Sequence, residues 1–152
     1  AMRAAIIAMM LTFGSQAGAD VFDTDFKLRK LASIGVSLYD GATGACWTNL
    51  KEVREYAEEK LSMKGAKIDN EAYVSLEANR YNFDIEVIGE RLYTNGTGPC
   101  YGNVILELYT VGHVNGSVHV ISAGDLTHVR VTKVNLNRAV IEKVSQFIAE
   151  FK

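Results

Sequence analysis

Along Ser33 to Tyr39 the apolar residues Ile34, Val36 and Leu38 alternate with Ser33, Gly35 and Ser37, the period of a half-buried strand. The glycine-bearing stretch Asp40 to Trp47 then reads as a loop. From Leu50 the period changes: Leu50, Val53, Ala57 and Leu61 recur at helical spacing, with Lys51, Arg54, Glu55, Glu58 and Glu59 on the opposite, solvated face. Asn49 is placed to cap this helix, Glu52 to answer the cap from the first turn, and Gly65 to end it. Asn70 to Tyr81 fits neither period cleanly, since Tyr73, Leu76 and Tyr81 suit a helix while Val74 and Leu76 suit a strand. It is left unassigned.

Alternation returns in Phe83 to Leu92, Asn103 to Val114, Ser117 to Ser122 and Leu126 to Val134, each rich in β-branched or aromatic residues. Asn115-Gly116 predicts a two-residue hairpin turn, because that turn requires positive φ at both positions. The chain closes with Leu136, Val140, Val144, Phe147, Ile148 and Phe151 on one helical stripe, with Asn135 as its cap. The order predicts an α+β fold: an antiparallel sheet of about five strands, the last four a meander, with two amphipathic helices packed on one face. On the strand Asn103 to Val114, Val104, Leu106 and Leu108 point one way and Ile105, Tyr109 and Val111 the other. Two helices cover only one face, so the ambiguous segment or a second subunit must cover the other, and a homodimer is expected.

The first residues read as an address. Arg3 precedes an apolar run from Ala4 to Phe13, followed by Gly14 to Ala19 with alanine at positions 17 and 19, the charged, apolar, small order of a signal peptide. Residues 1–19 would be removed, Ala1 ahead of Met2 being a residue left by cloning, and 20–152 would form a single domain. A spanning helix needs about 20 apolar residues, which this run does not supply. No cysteine immediately follows the run, as a lipoprotein would require, the first being Cys46. The processed chain is therefore expected in the periplasm or secreted, with no membrane span. It carries 15 basic and 18 acidic residues, a net charge of −3, which argues against general nucleic-acid binding. No tract of low complexity and no internal repeat divides it.

Two cysteines in an oxidising compartment are expected to pair, and Cys46 to Cys100 closes a loop of 54 residues. The rival is a reactive Cys46 thiol just ahead of a helix start. His113, His119 and His128 make a poor metal set. With Asn115-Gly116 as the turn, His113 falls opposite Val118 and His119 opposite Gly112, on different faces, while His119 and His128 meet only if Ala123-Gly124 is a tight turn. Gly41 to Thr48 follows a strand and opens a helix, as an anion site would, yet lacks the lysine of a phosphate-binding loop and the Rossmann glycines. Asn95 to Gly102 reads as a long turn pinned by the disulfide. No Gly-x-Ser-x-Gly elbow is present in the processed chain, and the sequons at Asn95 and Asn115 read as turn residues.

These residues assign no catalytic group, no metal and no cofactor. They favour an exported binding or interaction module of the cell envelope, with a protein or small-molecule partner and a candidate surface of Trp47, Thr48, Tyr93 and Tyr101 around the bridge. The alternatives are a small thiol- or histidine-dependent enzyme using Cys46 and a structural subunit of an envelope assembly.

Overall fold

The computed structural model describes residues 33–70, 80–115, 117–122 and 127–151. The expectations on the signal segment 1–19 and on most of the ambiguous segment, residues 71–79, lie outside them. Five strands and two helices follow in the order β1 (Ser33–Ala42), α1 (Leu50–Met63), β2 (Arg80–Arg91), β3 (Cys100–Val114), β4 (Ser117–Ser122), β5 (Thr127–Lys133) and α2 (Asn137–Ala149).

The sheet is mixed, which corrects the antiparallel expectation. β1 and β2 run parallel, from Ser33 against Arg80 to Ala42 against Gly89. The reason lies in the connection: α1 intervenes between them, and a strand reached through a helical crossover is delivered parallel. β2 and β3 pair antiparallel, from Asn82 against Tyr109 to Arg91 against Cys100. The predicted meander fails at its last step, because β5 does not pair with β4. Both pair with β3, β4 against Tyr109–Val114 and β5 against Cys100–Leu106. At 15 residues β3 is long enough to take the two short strands in succession along the edge that β2 leaves free.

The hairpin register places His113 opposite Val118 and His119 opposite Gly112, as the Asn115-Gly116 turn dictates. Asn115 itself adopts a φ of 51°, the left-handed conformation that turn demands. His128 pairs in register with Ile105, seven positions along β3 from Gly112, so it does not face His119 as a tight turn at Ala123-Gly124 would require.

One face of the sheet carries Ile34 and Val36 of β1, Phe83, Ile85 and Val87 of β2, and Val104, Leu106 and Leu108 of β3, all buried. Both helices lie on this face. Val53, Ala57 and Leu61 come from α1 and Val140, Val144, Phe147 and Ile148 from α2, and the Phe147 ring stacks on Phe83 with centroids 5.4 Å apart. Gly65, at a φ of 97°, ends α1: its N–H donates to the Ser62 carbonyl and that of Ala66 to Leu61, the paired bonds of a Schellman cap. The N-terminal caps differ from expectation. Asn49 makes no side-chain cap and its amide instead donates to the Glu52 carboxylate at 2.9 Å, while α2 has Leu136 at its cap position, with Asn135 accepting from the Asn137 N–H.

The outer edge of β1 is sealed where the chain leaves α1. Ile34 N–H donates to the Lys67 carbonyl at 2.8 Å and the Ile34 carbonyl accepts from Asp69 N–H at 2.9 Å. Val36 N–H donates to Asn70 Oδ1 at 2.9 Å, and the Val36 carbonyl accepts from the Arg54 guanidinium at 2.7 Å. Backbone groups that would otherwise template another strand are thereby occupied. Beneath this segment Arg80, only 2% exposed, forms an ion pair with Asp69 at 2.9 Å.

Candidate functional site

The residues singled out by sequence fall at one end of the sheet. Cys46 and Cys100 are joined, with Cα atoms 5.6 Å apart and both side chains fully buried, so the loop before α1 is tied to the start of β3. The described residues contain no free cysteine. Trp47, 3% exposed, belongs to the core under the bridge. Thr48 is exposed but engaged: its N–H donates to Asn137 Oδ1 at 3.0 Å and its hydroxyl accepts from Asn137 Nδ2 at 2.9 Å, which joins the starts of the two helices. Of the four candidate surface residues, Thr48, Tyr93 and Tyr101 therefore reach solvent and Trp47 does not.

The β2–β3 loop is held by short bonds. Leu92 N–H donates to the Pro99 carbonyl, Tyr93 N–H to Thr97, and Gly96 N–H to Tyr93. Tyr93 packs on Gly98, whose φ of 85° and lack of a Cβ allow the ring to sit against the backbone. Arg91 reaches three connections at once, donating to the carbonyls of Gly44, Gly98 and Val134, each at 2.9 Å. The disulfide and this guanidinium together hold the loops at this end.

A second region was not anticipated from sequence. Opposite the helices, the alternate positions of the strands carry Arg80 and Asn82 of β2, both buried, and then Ser37 and Tyr39 from β1, Asp84, Glu86, Ile88 and Glu90 from β2, and Tyr101, Asn103, Ile105, Glu107 and Tyr109 from β3. Neither α1 nor α2 covers this face. Tyr39 is 50% exposed and Ile88 43%, an apolar component among the acids. The signal that would have revealed it is the alternation in β2 itself, where Asp84, Glu86 and Glu90 interleave with Ile85, Val87 and Gly89.

Asp84 sits directly across from Glu107 in the β2–β3 ladder and beside Ser37 in the β1–β2 ladder. Like charges in opposed positions of a ladder repel. The Asp84 pKa is pushed up to about 6, first by burial and further by Glu107 and Glu86, with hydrogen bonding from the Tyr109 and Ser37 hydroxyls pulling it back. Tyr109 is raised to about 12 by burial and by the Asp84 charge, so it stays a neutral donor. One carboxylate oxygen of Asp84, Oδ1, is buried with no hydrogen-bond partner among the described residues.

Toward the bridged end the face deepens into two adjoining hollows. One, of about 320 Å³, is bounded by Gly41, Thr43, Ile88, Glu90, Tyr101 and Asn103. The other, of about 290 Å³, runs past Arg91, Leu92, Tyr93 and Gly96. Thr43, Glu90 and Tyr101 border both, and the Tyr101 hydroxyl donates to the Glu90 carboxylate. The two candidate regions are thus continuous, with Tyr101 and Glu90 at their junction. Among the described residues no three His, Cys, Asp or Glu side chains are grouped to hold a metal, and no helix is long and apolar enough to cross a membrane.

No protein-family model matches the chain, and no curated protein does. A solved structure described as "Crystal structure of uncharacterized protein" is similar over 78% of this chain and 82% of its own, at 9% identity and a TM-score of 0.24. A likeness that weak carries no argument about fold or function. The chemistry has to be read from the residues.

Proposed function

We propose that the processed protein is a binding or interaction module of the cell envelope, periplasmic or secreted, that engages its partner through the open face of the sheet. The observation that carries this reading is the contrast in residue choice on β2. Its helix-facing Phe83, Ile85 and Val87 are apolar and buried, whereas on the other face, beyond the buried Arg80 and Asn82, Asp84, Glu86 and Glu90 place three carboxylates and Ile88 one exposed isoleucine beside tyrosines from β1 and β3. Like charges set opposite each other, Asp84 against Glu107, work against stability, which favours a role for them beyond folding. The disulfide is compatible with an oxidising compartment. It also removes the nucleophile on which the thiol-enzyme alternative depends.

The acidic row bears on the expected homodimer. A two-fold axis centred on the acidic row would set carboxylates against carboxylates, which disfavours self-association there. The structural-subunit alternative predicts an extended apolar face instead, and the exposed apolar residues here are interspersed with charge.

The test is a photo-activated crosslinking residue placed at Ile88, on the open face, or at Glu59, on the outer face of α1, in the protein expressed and exported from its own cell. A defined adduct from Ile88, identified by mass spectrometry and absent from Glu59, is the expected result. Adducts of equal yield at both positions, or none at Ile88, overturn the reading.

A further inference from the structure

The open face also specifies the chemistry of what would lie on it. Asp84, Glu86 and Glu90 occupy alternate positions of β2, with Ile88 in the remaining one. Same-face neighbours on a strand are separated by about 6.6 Å, so Asp84 and Glu90 are about 20 Å apart. An extended chain laid over β2 repeats the same spacing. Glu107 and Tyr109 widen the acidic end from β3, and Tyr39 flanks it from β1. At the other end the hollows beside Glu90 have glycine in their walls, and Ile88 and Tyr101 line the first of them. That is the shape and surface an aliphatic stem with a terminal cation requires: apolar contact for the methylenes, an aromatic ring and a carboxylate for the head.

Building on the binding reading above, we propose that the open face is a docking groove for an extended cationic segment of a partner protein. One lysine or arginine side chain is taken into the hollow at Glu90, others lie over Asp84, Glu86 and Glu107, and an apolar residue packs on Ile88.

Charge complementarity selects this occupant over the rest. A second copy centred on the row brings the same acids, its Arg130, opposite Asn103, being set off from β2 by β3, and nucleic acid brings more negative charge. Strand addition at β1 is blocked where Lys67, Asp69, Asn70 and Arg54 already occupy the backbone groups of Ile34 and Val36. A metal ion needs converging ligands, and these carboxylates run in a row.

The experiment is fluorescence anisotropy of a labelled seven-residue peptide with lysine at positions 1, 3 and 7 and valine at position 5, titrated with the processed, oxidised protein at low salt. A scrambled peptide of the same composition and an all-glutamate version serve as comparisons. Binding of the patterned peptide is expected, tighter than the scramble, absent for the glutamate version, and weakened about tenfold by Glu90→Gln. Glu59→Gln, on the solvated face of α1, is expected to leave it unchanged. Retained circular dichroism and alkylation resistance show that each variant is folded. Equal weakening by Glu59→Gln and Glu90→Gln, equal affinity for the scramble, or no binding overturns the cationic assignment. If the Ile88 crosslink persists in that case, the binding reading stands with a partner of other chemistry. If the crosslink is also absent, the reading itself has failed.

Discussion

The two faces of the central strands are separated by one peptide's thickness and obey opposite rules. On the covered side Phe83, Ile85, Val87, Val104, Leu106 and Leu108 are fully buried and meet one another, α1 and α2. Every choice there serves packing. On the open side Asp84 faces Glu107 across the ladder, an arrangement that works against stability and that the fold does not need. Where a sequence accepts a local cost without structural return, the position is better explained by what it binds. The comparison teaches where to look: β2 contributes to both sides, and its Asp84, Glu86 and Glu90 depart from what folding alone would choose.

The sharpest way to break the comparison is to exchange the same kind of change between faces. Phe83→Ala removes a ring stacked on Phe147 and leaves a cavity in the core, so it should destabilise by about 3–5 kcal/mol. Ile88→Ala, five residues along the same strand but 43% exposed, should cost less than about 1 kcal/mol. Urea unfolding of the two variants measures both. Equal losses would mean that the open face is covered in the working protein, and the division drawn here would be wrong.

A comparable effect is expected at the junction of the faces. Replacing both Cys46 and Cys100 by alanine releases a 54-residue loop and should cost about 4 kcal/mol in the loop-entropy description. Alkylation followed by mass spectrometry should find both thiols blocked until reductant is added. Because Arg91 holds the same loops through the carbonyls of Gly44, Gly98 and Val134, part of the local geometry should survive the loss. Survival is read as retained peptide binding in the folded fraction.

Periodicity made the elements legible and pairing remained hidden. Ser33 to Tyr39, the α1 stripe, the Asn115-Gly116 hairpin and the Cys46–Cys100 bridge could each be read from residue types at fixed spacing, because each is decided locally or by elimination. Strand partners are not local. Nothing in Thr127 to Lys133 states that its neighbour is β3 rather than β4, and only the length of β3 makes room for both. The candidate site was less legible: Ile105 and Tyr109 on the second side of β3 suggest a buried face, whereas the carboxylates that mark the site alternate through β2. Trp47 was drawn into the surface by its neighbours on the chain, although an indole beside a buried disulfide is more economically used in the core.

The smallest effect is the most specific to the open face, since it depends on pH as well as on residue. The Asp84 carboxyl holds its proton more tightly in the folded protein, at about 6, than in the unfolded chain, near 3.8. Its contribution to stability is therefore fully present below pH 3.8 and lost as pH rises through about 6. At pH 8 the charged group sits opposite Glu107 and partly out of water, and Asp84→Asn should relieve this. A two-unit shift in a fully buried group would correspond to nearly 3 kcal/mol. Solvent screening at this half-exposed position reduces the expected gain to about 1 kcal/mol. The same substitution should give no gain at pH 3.5, where aspartic acid and asparagine are both neutral. Urea midpoints of the two proteins at the two pH values decide it. A gain at pH 8 that disappears at pH 3.5 ties the cost to the charge on this face, whereas an equal shift at both would mean that asparagine simply packs better between Ser37 and Tyr109. The first outcome, joined to weaker binding of the lysine peptide by the more stable variant, would show stability and recognition pulling on Asp84 in opposite directions.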